Sequence, residues 1–228
     1  MTYARRHQVE PGTVLDGQGP SSRVPPSRGH VVHLGGRRQN TAPAQPPARD
    51  ARAHQAFLDR VVDYLSTDRG VRQFIDWGSP VPGTAERIRR AHPDNSVVHV
   101  APHGTVGMLS SPDTPVLSGG AENAETPLRR LTTCGLVDFD EPVAVLMTRP
   151  FNAHTPPPGL TRLHSLMHGG GYLALAVDAP ERAAEQVFDP FVPLEPGLAD
   201  LRWWPYPDED VAMEGTGVLG GLGRTHRN

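Results

Sequence analysis

The chain is 228 residues long, with 22 basic residues that are all arginine, 25 acidic residues and a single cysteine, Cys134. That length suits one ordinary domain with or without a tail, and the composition excludes an intrachain disulfide, a cysteine-based zinc site, a lysine Schiff base, a P-loop lysine and a Ser-Lys dyad. Charge is uneven: residues 1–52 carry eight arginines against Glu10, Asp16 and Asp50, net +5, while the remainder carries 14 arginines against 22 acids, net −8, a balance that argues against a nucleic-acid-binding domain.

Residues 1–48 are rich in Pro, Gly, Arg and Ser and poor in apolar side chains. Such a segment cannot bury enough surface to offset its chain entropy, so a loop-like or disordered arm is expected, with a short apolar patch at Val31–Gly36. Residues 49–228 are expected to form the folded domain. Ala53, Ala56, Phe57, Arg60, Val61, Tyr64 and Leu65 recur at helical spacing and predict an amphipathic helix over about residues 50–66, with Gly70 as its cap. Val71–Trp77 predicts a strand, Gly78–Gly83 a turn, and Thr84–His92 a helix with Thr84 as N-cap. Further strands are predicted at Ser96–Val100, Thr114–Leu117, Glu141–Met147 and Tyr172–Val177. The helices between them are predicted at Ala124–Thr133, Leu160–His168 and Pro180–Phe188. Leu198–Trp204 and Met213–Leu219 are predicted as closing strands. Strands alternating with helices imply an α/β domain with a mostly parallel central sheet and helices on both faces. No run approaches the length of a membrane span and the N-terminus lacks an apolar h-region, so a cytoplasmic protein without membrane contact is expected.

In an open α/β sheet, ligands bind beyond the carboxyl ends of the strands. The first strand ends in Asp76-Trp77-Gly78 and a glycine-bearing turn leads into a helix. Glycine admits close backbone approach, and the helix N-terminus adds partial positive charge, which suits a nucleotide-like ligand.

The blocks stand in a recognisable order. They are Arg28…Leu34-Gly35-Gly36-Arg37-Arg38…Asn40, His54-Gln55-Ala56-Phe57-Leu58, Gly70–Gly83, Gly169–Leu175 and Gly220-Gly221-Leu222-Gly223-Arg224. Together they resemble an actinobacterial family of S-adenosylmethionine-dependent methyltransferases, formerly a domain of unknown function, over about residues 23–225. The resemblance implies a Rossmann-like class I methyltransferase fold and S-adenosylmethionine as cofactor. It points to Asp76, Gly78, Ser79, Gly83 and Asn152 as cofactor-binding positions.

The chain departs from that family's pattern at several contact points. Pro80 replaces a second turn glycine, removing an N–H and fixing φ. After the second strand the family has an acid that grips the ribose hydroxyls; here Ala101-Pro102-His103 follows Val98-His99-Val100. After the third strand, Gly119–Ala124 lacks the aspartate that meets adenine. After the fourth, Phe151-Asn152-Ala153 replaces Leu-His-Phe. Each lost buried hydrogen bond costs about 1–3 kcal/mol, so several lower affinity by orders of magnitude.

The expectation is therefore a methyltransferase-family pseudoenzyme acting as a regulator or partner-binding protein, as an oligomer or beside an active paralogue. The alternative is an active methyltransferase on an unknown small-molecule acceptor. A third reading reuses the fold for another small ligand. No catalytic residue is assigned and no metal is expected. His164 and His168, four apart on a predicted helix, form the best metal pair but lack a third ligand. His103 and His154 lie just past predicted strand ends, where a general base would sit. Cys134 is expected to be a buried inert thiol, and Trp203-Trp204-Pro205-Tyr206 to pack in the core or at a pocket rim.

Overall fold

The computed structural model describes residues 48–78, 81–102, 113–119, 124–152, 157, 159–178, 185–205 and 215–226. The expected arm lies outside these residues except for Ala48, where the first helix starts. Helix α1, Ala48–Asp63, runs into one π-turn at Tyr64–Asp68. Phe57, Leu58, Val61, Val62 and Leu65 lie on one face of it and are buried, as an amphipathic stripe requires. The chain then turns at Gly70, whose φ of +66° is left-handed and costs glycine no Cβ clash.

Five strands follow in sequence: β1 (Gln73–Trp77), β2 (Ser96–Ala101), β3 (Val116–Ser118), β4 (Val143–Asn152) and β5 (Gly171–Asp178). Helices α2 (Thr84–Ala91), α3 (Glu125–Thr133) and α4 (Leu160–Leu166) lie in the β1–β2, β3–β4 and β4–β5 connections. The short strands β6 (Val192–Pro193) and β7 (Ala199–Asp200) precede β8 (Leu219–Arg224). The sheet order is β3-β2-β1-β4-β5-β8-β6, with β7 also on β8. β1 to β5 pair in parallel, and β8 runs antiparallel to β5. This is the expected α/β architecture.

Two apolar layers sandwich the sheet. On one face Ile75, Val98, Val145 and Leu173 meet Leu128 and Leu131 of α3 and Leu163 of α4. On the other, Phe74, Val97, Leu146 and Ala174 meet Phe57 and Val61 of α1 and Ile88 of α2. Strands buried on both faces read as continuous apolar runs, which is why Val143–Met147 and Tyr172–Val177 were legible. Burying each large side chain of this kind stabilises the fold by about 1.5–3 kcal/mol.

Several boundaries differ from expectation. Gly83, at φ +77°, takes the N-cap position of α2, and Thr84 is its first residue, with its hydroxyl donating to the Val81 carbonyl at 2.9 Å. α4 ends at Leu166 rather than His168. Just beyond it, Gly169 packs so closely on the Asp140 backbone that no Cβ fits there. Residues 185–188 form a 3-10 turn, and the rest of the predicted helix at 180–188 lies outside the described residues. Leu198–Trp204 is strand only at Ala199–Asp200, after which Leu201–Pro205 turns. The closing strand begins at Leu219, where the predicted one ends. Its glycines misled the reading, since they serve close packing: a Cβ on Gly220 would lie 2.5 Å from Leu201 Cδ2 and 2.9 Å from Phe57 Cε2.

Candidate functional site

The strand order reverses between β1 and β4, which are neighbours although β2 and β3 intervene in sequence. The connections leaving these two strands depart to opposite sides, so their carboxyl ends flank the crevice where an open α/β sheet takes its ligand. Asp76, Trp77 and Gly78 reach that edge from β1, Ala101 and Pro102 from β2, Ser118 and Gly119 from β3, and Phe151 and Asn152 from β4.

Two buried polar side chains meet just below it. Asp76 and His99 are register partners on the parallel β1–β2 ladder. They are 4% and 6% exposed, and His99 Nδ1 lies 2.9 Å from Asp76 Oδ2. Side chains alternate along a strand, so Asp76 and His99 share the face of Phe74 and Val97, the one covered by α1 and α2. The contact has ion-pair length, yet the ring is not aligned for a good Nδ1 hydrogen bond. With the imidazolium form it is a buried ion pair; the neutral ring supplies one N–H donor and one acceptor. In the sequence His99 stands out only as a residue of the second predicted strand. The signal available was parity: each residue stands two positions before a central strand's last apolar residue or turn, on the same face.

Of the positions expected to hold cofactor, Asp76 is buried against His99. Gly78 and Gly83 both have left-handed φ, +69° and +77°, at the two ends of the first turn. Ser79 and Pro80 between them lie outside the described residues. Asn152 is the last residue of β4, paired with Asp178 of β5; its side chain is outside the described set. The structure therefore brings Asp76, Gly78 and Gly83 to one turn and sets the Asn152 backbone on the same edge of the sheet.

S-adenosylmethionine would need partners for its ribose diol at the end of β2, and a diol asks for a bidentate acceptor. Ala101 occupies that end, 1% exposed, followed by Pro102. Neither side chain carries an acceptor. The half-buried Trp77 packs against the α3–α4 layer at the same edge. The described residues of the β2 end thus do not fit the cofactor's ribose.

The other candidates separate in space. His164 is on α4, edge-to-face with Phe191 at 5.1 Å. His168 lies beyond the helix end, exposed, with Nδ1 3.3 Å from Asp140 Oδ1. The four-residue spacing thus does not place them on one helical face. Among the described residues no three His, Cys, Asp or Glu side chains cluster as a metal site would. His103 and His154 lie outside the described residues. Cys134 is exposed rather than buried, at the C-cap of α3. Trp204 is core, 2% exposed and edge-to-face with Phe57 at 5.4 Å, and it also borders a cavity of about 320 Å³ with Tyr64, Leu194 and Pro196. Among the described residues no helix is long and apolar enough to cross a membrane.

The fold is similar to that of a DUF574 family protein from Streptomyces avermitilis MA-4680, with a TM-score of 0.61 and 20% identity, covering 77% of this chain and 83% of that one. It is also similar to a protein from Thermobifida fusca YX assigned to the methyltransferases, with a TM-score of 0.57 and 22% identity, covering 78% and 82%. At such identities the likeness is one of fold. The chain matches no curated protein. A family model described as S-adenosyl methyltransferase matches residues 33–187, more than half of the chain. With that match added to the sheet order and the glycine turn, the chain belongs to the S-adenosyl methyltransferase family.

Proposed function

We propose that this chain keeps the scaffold of its family without a productive hold on S-adenosylmethionine, and acts by binding, as a regulator or as the partner of an active paralogue. One observation carries the reading. Among the described residues that end β1, β2, β3 and β4, Asp76 is the one carboxylate, and it is buried 2.9 Å from His99 rather than presented to a ligand. Ala101 at the β2 end and the bulk of Trp77 at the β1 end support the same conclusion.

A second reading, an active methyltransferase on a small-molecule acceptor, draws support from Gly78 and Gly83, both left-handed, at the two ends of the first turn. Thermal unfolding with and without cofactor separates the two. A ligand present at about a thousand times its dissociation constant adds about 4 kcal/mol, and a domain of this size gains about 2–4 °C per kcal/mol. With S-adenosylmethionine at about 1 mM, the expected shift is below about 1 °C. A rise of about 8 °C or more would mean micromolar binding and overturn the proposal.

A further inference from the structure

The opposite edge of the sheet, where β4 and β5 begin, carries a second constellation. Three of the sequence blocks meet there at their ends: Arg69 precedes Gly70, Gly169–Gly171 leads into β5, and Arg224 closes β8. With Asp68, Thr225 and His226 they line a cavity of about 420 Å³. Arg69 is set in place by Tyr64. Its Nε donates to the Tyr64 hydroxyl at 2.6 Å, and its guanidinium carbon lies 5.0 Å from the ring centre, a cation–π contact. Its two terminal nitrogens have no hydrogen-bond partner among the described residues. Tyr172 and Arg224 are register partners on the antiparallel β5–β8 pair, so their side chains share a face, the one on which Tyr64 packs. Arg224 is exposed, and its side chain likewise has no partner among the described residues. The N–H groups of Gly169, Gly170 and Gly171 are engaged by the Phe139 carbonyl, the Met167 carbonyl and the Thr225 hydroxyl. The cavity's positive charge therefore comes from side chains: Arg69 and Arg224, with His226 able to add to it, against Asp68. Thr225, 7% exposed, accepts the Gly171 N–H at 2.9 Å and keeps its own proton to donate. Asp140 and Glu141 border the adjoining hollow, where Asp140 faces His168.

We propose that this cavity is an anion site that takes the phosphate group of a small molecule, held by Arg69 and Arg224. A guanidinium presents its N–H groups as a rigid fork matched to oxyanions, and it stays charged at any working pH. A carboxylate is answered by one such fork. A phosphate monoester brings three acceptor oxygens and a charge of about −1.5 to −2 at pH 7, which suits two arginines. The cavity has room beyond the phosphate for the body of the molecule. Because Tyr64 already holds Arg69, binding orders one arginine fewer, which lowers its entropic cost. The site is open to water, so salt screens it and its affinity is modest. The inference goes beyond the proposed function: this edge is the far one from the crevice read as the family's cofactor site, and the site's occupancy does not depend on S-adenosylmethionine.

The test is a titration of the full chain with inorganic phosphate and with glycerol 3-phosphate, in a buffer free of other phosphate and at constant low ionic strength. Acetate serves as the monocarboxylate and sodium chloride as the salt control. Binding is followed by nitrogen-15 NMR at the Gly170, Gly171, Arg224 and Thr225 amides and at the Arg69 Nε–H. Saturable shifts confined to these groups are expected for both phosphates, with a dissociation constant of about 1 mM or below. Acetate is expected to bind at least about tenfold more weakly. Arg224→Gln and Arg69→Gln should each weaken phosphate binding about tenfold. Arg129→Gln, which removes the same charge from the exposed face of α3, should leave it unchanged. Arg224 is exposed and makes no contact with Tyr64 that its loss would break, so Arg224→Gln carries the test should Arg69→Gln disturb the Tyr64 turn. No saturation by about 20 mM phosphate, equal shifts with chloride, acetate binding as tightly as phosphate, or unaltered affinity in Arg224→Gln would each overturn the proposal. All of these readouts are taken without S-adenosylmethionine, so failure here and failure of the proposed function are distinguishable.

Discussion

At the scale of single residues, glycine and aspartate do work that their sequence context disguises. Gly220 sits between Leu201 and Phe57, with no room for a methyl group. Gly220→Ala is expected to cost about 1–3 kcal/mol by overpacking, read as a lower urea midpoint with an unchanged slope. An unchanged midpoint would contradict the tight contact. The same residue shows why the closing strand was hard to read. A run of Leu219-Gly220-Gly221-Leu222-Gly223-Arg224 looks like a turn until the aromatic rings above and below it are known. Phe188 stands over Gly223, 2.7 Å from where its Cβ would lie. His99 was opaque for a related reason: its neighbour in space, Asp76, is set by strand pairing and not by spacing along the chain. Gly70 and Gly83, by contrast, were legible as turn glycines because each acts through its own backbone.

At the scale of elements, the two ends of the structure around β7 and β8 are tied by side chains rather than by long strands. Asp200, 7% exposed, accepts hydrogen bonds from the backbone N–H groups of Arg202 at 3.0 Å, Thr216 at 2.6 Å and Gly217 at 3.1 Å, and from the Thr216 hydroxyl at 3.0 Å. It thereby clips the turn after β7 to the segment entering β8. Arg60 of α1 does a similar task from the other side, donating to the carbonyls of Leu201 and Trp204. Burial lowers the Arg60 pKa from its ordinary value, with the charge of Asp59 acting in opposition. Asp200→Ala leaves several donors unmet and is expected to cost about 3 kcal/mol. The loss should appear in equilibrium denaturation and as faster exchange at Thr216 and Gly217. Stability within about 0.5 kcal/mol of the unaltered chain would show the clip to be incidental. None of this was legible from sequence, where 198–204 and 213–219 have strand-like composition. β7 lies within the predicted strand at 198–204, but the clip is made by Asp200 and Arg60 with residues distant in the chain, which spacing does not reveal.

At the scale of the whole molecule, a doubly covered parallel sheet places a glycine turn at its switch point, and that much the alternation of apolar runs foretold. What the fold cannot supply is the chemistry of the site, which lives in the few residues at the strand ends. Among the described residues they are Asp76 against His99, Ala101 at the end of β2, and Trp77 at the rim. The proposed function turns on whether this family scaffold holds S-adenosylmethionine. Calorimetric titration of S-adenosylmethionine and S-adenosylhomocysteine into the full chain tests it most directly. If the proposal holds, no saturable heat is expected up to about 1 mM of either ligand, as the loss of several contacts of about 1–3 kcal/mol each would give. Saturable binding with a dissociation constant in the micromolar range would contradict it.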